Sequence, residues 1–176
     1  MVLCYTYAMG ITIRIATMAD LKTIQKLGFD LLDYERQNWD PTLDVDWPFS
    51  EEGKAGYEKA IKEKYTIIAE EEGEPVGYLI GSVKKPIKGA ARQITTAQLE
   101  NIFVLRDYRR KNIGKKLFDK FLDYCEQNHV DALNVTVNAK NKTAISFYEK
   151  LGFSSSRLFL SKELWALVFL MKKPQS

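Results

Sequence analysis

Residues 94–128 constrain the fold more than any other stretch of this chain. They read ITTAQLENIFVL, then RDYRRK, then NIGKKLFDKFLDYCEQN. The first run is β-branched and apolar, so it predicts a strand. The last run places Ile113, Leu117, Phe118, Phe121, Leu122 and Cys125 on one side of an amphipathic helix. A strand that feeds such a helix through a short polar turn must lay the helix back on a sheet. The rest of the chain is read as what completes that sheet.

ITIRIA (11–16) alternates and predicts a strand; 17–37 predicts a helix capped by Thr17 or Asp20. NWDPTLDVDWPF is a loop, and 50–64 predicts a helix capped by Ser50. YTIIAEE and EPVGYLIGSV flank Glu72-Gly73 and predict a hairpin. The basic segment 84–93 is a connection, 130–138 a strand, and 141–153 a helix with Asn141 as its cap and Gly152 as its stop. SRLFLSKEL (156–164) predicts a last strand. The order β-α-α-β-β-β-α-β-α-β implies an α/β fold, with a mixed, mostly antiparallel sheet of six to seven strands and helices on both faces. The 176 residues suit a single domain, 1–176, with a leader segment at 1–10 and a tail at 165–176. The leader lacks the basic start of a signal peptide. The tail WALVFLM is too short to span a bilayer, and is expected to bury against the sheet or a second subunit, as in a homodimer.

The net charge of +3 gives no argument for nucleic acid or membrane partners. Cys4, Cys125 and His129 have no zinc spacing, so no metal is expected. Cys125 falls on the apolar helix face as a buried free thiol, and this cysteine usage fits a reducing cytoplasm.

The chemistry concentrates in the turn. The first amides of a helix lack internal partners and carry the positive end of its dipole, a ready seat for phosphate. Arg109, Arg110 and Lys111 stand there, where cations are unfavourable unless an anion joins them. Gly114-Lys115 is followed by Lys116, so this is no P-loop, and G-x-G-x-x-G is absent. Asn112 is the best non-glycine residue for positive φ, and its amide is expected to cap the helix as well.

At this point the sequence resembles the GNAT superfamily of N-acetyltransferases. The motif Arg/Gln-x-x-Gly-x-Gly/Ala after a strand ending in valine is matched by Val104, Arg109 and Gly114, with Asn112 in place of the first glycine. A second signature is matched by Asn141, Ala144, Phe147, Tyr148, Gly152 and Phe153. The resemblance covers about residues 11–164. Locally the strand is similar to that of diamine acetyltransferases: Glu100 matches their glutamate, and Asn101 stands where they carry aspartate.

The resemblance implies acetyl transfer from acetyl-CoA to a primary amine of a small molecule or peptide by direct attack. It implies that acetyl-CoA is held by Ile102, Phe103 and Val104 of the strand, by Arg109, Arg110, Lys111, Asn112, Ile113, Gly114 and Lys115 of the turn, and by Asn141 and Tyr148. Glu100 is the expected base, since an alkylammonium with a pKa of about 10 must lose a proton. Tyr148 is the expected acid for the leaving thiolate, with Phe147 supplying the core ring beside it. Asp33, Trp39 and Glu100 are the expected acceptor contacts, with Glu35, Asp40, Asp44, Asp46 and Trp47 as further acidic or aromatic groups nearby. A CoA-binding regulator with weakened chemistry, and protein N-termini or lysines as acceptors, stay open as alternatives.

Overall fold

The computed structural model describes residues 10–85, 94–156 and 160. The chain divides into two compact units, Met1–Asn138 and Ala139–Ser176.

In the first unit the elements are β1 (Ile11–Ile15), α1 (Leu21–Asn38), α2 (Glu51–Glu63), β2 (Tyr65–Glu71), β3 (Glu74–Lys84), β4 (Thr96–Val104), α3 (Ile113–Gln127) and β5 (Ala132–Val135). The sheet order is β1-β2-β3-β4-β5. Only β4 and β5 run parallel; the other neighbours are antiparallel. The sheet is therefore mixed and mostly antiparallel, as expected. It has five strands among the described residues, against the six to seven expected. The predicted strand 156–164 and connection 84–93 fall largely outside the described residues, and the leader and the tail lie outside them almost entirely.

Helices cover both faces. Ile24 and Leu27 of α1 and Tyr57 and Ala60 of α2 pack with Ile68, Tyr78, Ile80 and Phe103 of the strands. On the other face lies α3, whose Ile113, Leu117, Phe118, Phe121 and Cys125 are buried as its periodicity predicts. Phe121 stacks on Tyr65, with centroids 5.9 Å apart. A Cβ at Gly81 would lie 2.3 Å from the Phe121 ring, so only glycine lets α3 sit this close to β3. Burial pushes the free Cys125 thiol up to about 11. Among the described residues no helix is long and apolar enough to cross a membrane.

The expected caps are partly realised. Ser50 Oγ accepts from the Gly53 amide at 3.0 Å, and Glu72 and Gly73 both take positive φ, the hairpin-turn pattern. Asp20 does not cap α1 directly, but the single 3-10 turn Met18–Asp20 that runs into α1 opens with a capping box between Thr17 and Asp20. Asp20 accepts from the Thr17 amide at 2.7 Å and also from both terminal nitrogens of Arg14, at 2.9 and 2.7 Å. The guanidinium, reinforced by Thr17, holds the Asp20 carboxyl well below the usual carboxylate range.

In the second unit α4 spans Lys142–Lys150. Asn141 Oδ1 accepts from the Ala144 amide at 2.9 Å, as its sequence position predicts. The helix stops at Gly152, φ 90°, with the Gly152 amide bonded to Glu149 O and the Phe153 amide to Tyr148 O, both at 3.0 Å. This is a Schellman ending, and the Tyr148 and Phe153 rings supply its apolar contact at 5.5 Å.

Candidate functional site

The site begins with an irregularity in β4. Ile80 pairs with Asn101, but Gly81 pairs with Leu99, so Glu100 is an extra residue bulged out of the β3–β4 ladder. The parallel pairing of β4 with β5 ends at the same level, at Leu99 and Val135. The strand predicted over 130–138 is accordingly cut to four residues. Beyond Leu99, no described strand pairs with that edge of β4. Leu105 donates its amide to Val76 O on the β3 side. Backbone groups alternate in an antiparallel ladder, so Ile102 and Val104 turn theirs to the open edge. Phe103 turns its backbone to β3 and its ring, 7 % exposed, into the core under α1.

The turn after β4 is built from two left-handed residues, Arg110 at φ 65° and Asn112 at φ 62°. Asn112 does what its residue type predicts for the backbone. Its side chain, however, does not cap α3. An N-cap side chain reaches the N2 or N3 amide from β-region backbone, and the left-handed backbone aims it elsewhere. Among the described residues no side chain accepts from the first-turn amides at Ile113, Gly114 and Lys115.

The cations of the turn are unequal. Arg109 Nε donates to Val104 O at 2.9 Å, and its guanidinium lies 4.3 Å over the Tyr34 ring, which Trp39 meets edge-on at 5.1 Å. Lys111 pairs with the Glu71 carboxylate at 3.0 Å, and Lys115 with Asp119 at 2.7 Å. Arg110 has no such partner among the described residues. The anion expected beside the turn is therefore partly supplied by the chain itself.

On the α1–α2 face, beside the bulge, lies a cleft of about 200 Å³. Leu31, Leu32, Trp47, Tyr57 and Ile80 form much of its wall, with Lys64, Glu100 and Asn101 its polar groups. Glu100 Oε2 accepts from Lys64 Nζ at 2.5 Å and Oε1 from Ser82 Oγ at 2.8 Å. Glu100 and Trp47 thus meet in one place. Asp33 and Trp39 are not in this wall; Asp33 accepts from Gln37 Nε2 at 2.7 Å, one turn along α1. In the second unit Tyr148 is the buried ring of α4, 8 % exposed, while Phe147 is half-exposed, the reverse of the expected allotment. Lys64, Ser82 and Tyr34 were not singled out from sequence. Lys64 is 36 residues from its partner, and only the β2–β3–β4 register brings Ser82 to Glu100.

Together these are a bulged strand open on one edge, a left-handed turn leading into α3 at its end, and a half-apolar cleft on the α1–α2 face. The acetyltransferase (GNAT) family model matches residues 30–153, most of the chain, and the chain belongs to that family. It is similar to an uncharacterized N-acetyltransferase of Methanocaldococcus jannaschii, 28 % identical over 153 residues, 84 % of this chain and 62 % of the relative. It is also similar to the ribosomal protein bS18-alanine N-acetyltransferase of Escherichia coli, 39 % identical over 62 residues, 35 % of this chain and 42 % of that protein. The chain thus spans less than two thirds of the length of these relatives. Among solved structures, an aminoglycoside N-acetyltransferase in complex with CoA superposes with a TM-score of 0.66 at 18 % identity, covering 88 % of this chain and 95 % of its own; that likeness concerns the fold.

Proposed function

We propose that this protein is an acetyl-CoA-dependent N-acetyltransferase acting on a primary amine of a small molecule or peptide, and that residues 1–176 are a single acetyltransferase domain. The observation that carries the reading is the open edge of β4 between its bulge and the left-handed turn. Acetyl-CoA, when bound, supplies an activated thioester. The Ile102 backbone groups and the Val104 amide would hold its extended arm, the Val104 carbonyl staying with Arg109, and the Val104 amide would bond the acetyl oxygen. The amides of Ile113, Gly114 and Lys115, with Arg110, hold the pyrophosphate end, and Asn112 gives the turn its shape. Arg109 and Lys111 contribute by fixing the turn to β4, Tyr34 and Glu71. Phe103 supports the strand from its core side. Asn141 presents the start of α4.

Glu100 accepts the acceptor amine's proton, and the free amine forms a bond to the acetyl carbon. The thioester C–S bond breaks. Tyr148 would give its hydroxyl proton to the sulfur as CoA departs, and the second proton shed by the new amide nitrogen would restore the Tyr148 hydroxyl, leaving an N-acetyl amide and CoA thiol. Calorimetric titration with acetyl-CoA, followed by assay of thiol release over an amine panel, tests the reading. A failure to bind acetyl-CoA overturns it. Binding without transfer to any amine favours a CoA-binding regulator. Tyr148→Phe is expected to lower kcat by about a hundredfold or more, the scale of a lost general acid, with little change in CoA affinity. An unchanged rate removes Tyr148 from the mechanism.

A further inference from the structure

The charge balance of the cleft bears on which amine it takes. Among the described residues its wall carries one cation, Lys64, and one anion, Glu100, and the two are joined to each other. The acidic residues of the 33–46 segment do not contribute. Asp40 accepts from the Thr42 amide at 3.1 Å and from its hydroxyl at 2.5 Å, and Asp44 accepts from the Asp46 amide at 3.0 Å. These are turn-forming carboxylates that shape the loop. None of Asp33, Glu35, Asp40, Asp44 or Asp46 stands in the cleft wall. Beside the uncharged amide of Asn101, what remains is mostly apolar and aromatic: Leu31, Leu32, Trp47, Tyr57 and Ile80.

We propose that the acceptor is a primary amine carried on an uncharged apolar body, and that Lys64 is the residue that turns polycations away. This rests on the acetyltransferase reading. One ammonium arriving at Glu100 shares that carboxylate with Lys64. A second cation on the same molecule meets the Lys64 charge and finds no other carboxylate in the wall. An unpaired charge taken out of water is costly, and an apolar body gains from the same walls. At about 200 Å³ the cleft is below the usual range for drug-sized ligands, so it accommodates a small amine or the first residue of a peptide.

The test uses the full chain with acetyl-CoA and three amines: 2-phenylethylamine, a phenylalanine-headed tripeptide amide, and spermidine. Thiol release gives kcat/KM for each. The better of the two apolar amines is expected to exceed spermidine by about tenfold to a hundredfold, the worth of burying one phenyl-sized group. The order of those two tells whether the apolar body is a free small molecule or a peptide end. Lys64→Met is expected to raise the spermidine to phenylethylamine ratio by about tenfold, a selectivity shift that mere loss of stability does not produce. Spermidine equal to or better than both apolar amines on the native chain overturns the inference, as does an absence of transfer to either apolar amine while acetyl-CoA binds. Absence of acetyl-CoA binding by calorimetry overturns the underlying reading and this inference with it.

Discussion

Arg109→Met separates two roles that the same arginine has been given. The family motif suggests a phosphate contact, whereas the structure spends the guanidinium on Val104 O at 2.9 Å and on the Tyr34 ring at 4.3 Å. Methionine keeps much of the side chain's length and removes its donors. A hydrogen bond from a charged donor contributes about 1.5–3 kcal/mol. A half-exposed guanidinium on an aromatic face adds about 0.5–1 kcal/mol. With methionine retaining part of the packing, the net loss is about 2 kcal/mol, or roughly 4–8 °C in Tm for a chain of this size. The α3 amides and Arg110 are untouched, so CoA affinity is expected to fall by less than about fivefold, with an unchanged dependence on salt. Thermal unfolding and calorimetric CoA titration at two ionic strengths measure both quantities. A Tm within about 1 °C of the parent, together with a loss of affinity of about tenfold or more that shrinks at high salt, would falsify the reasoning and make Arg109 a phosphate ligand.

Asn112→Gly removes the Cβ at φ 62° and should raise stability by a few tenths of a kcal/mol to about 1 kcal/mol, with CoA affinity changed by less than about threefold. A large gain in affinity, read by the same titration, would mean that the asparagine obstructs the phosphate seat. Asp20→Asn should cost about 1–3 kcal/mol in urea unfolding near neutral pH, because Arg14 loses one of its two anionic partners and keeps only Glu70. Asp20's folded pKa is depressed, so its contribution is present above the unfolded carboxylate value of about 4 and is lost as pH falls through the folded one. The gap between parent and variant should therefore narrow in acid, and a gap constant down to about pH 2 contradicts the ion pair. Gly81→Ala should destabilise by about 1–3 kcal/mol through the Phe121 ring and be rescued in part by Phe121→Leu; additive losses would show that the two sites do not touch.

The elements were legible because their residues say one thing at each level. The apolar stripe of α3, the Ser50 and Asn141 caps and the Glu72-Gly73 turn are local signals, and the structure repeats them, except that Leu122, at the margin of the stripe, is exposed. The bulge was not legible. Nothing in QLEN marks Glu100 as the unpaired residue, because a bulge is a property of two strands in register. The same limit hid Lys64, whose pairing with Glu100 depends on how α2 ends beside β4. At the 33–46 segment composition alone does not separate two uses of an acid, attracting a cation or closing a turn; the hydrogen bonds at Asp40 and Asp44 give those two a turn-closing role.

The extra residue at Glu100 shifts the phase of β4. Before it, Ala97 and Leu99 sit opposite Val83 and Gly81, on the side of α3. After it, Asn101 and Phe103 sit opposite Ile80 and Tyr78, on the side of α1 and α2. Leu99 and Asn101 already lie on opposite faces and pair with neighbouring residues of β3, so a chain lacking position 100 would close the ladder without moving any side chain to the other layer. What it would lose is the seat that sets a carboxylate beside Lys64 and Ser82. The extra residue thus serves the cleft and not the core, and its deletion should cost the cleft its chemistry while leaving both layers of the fold in place.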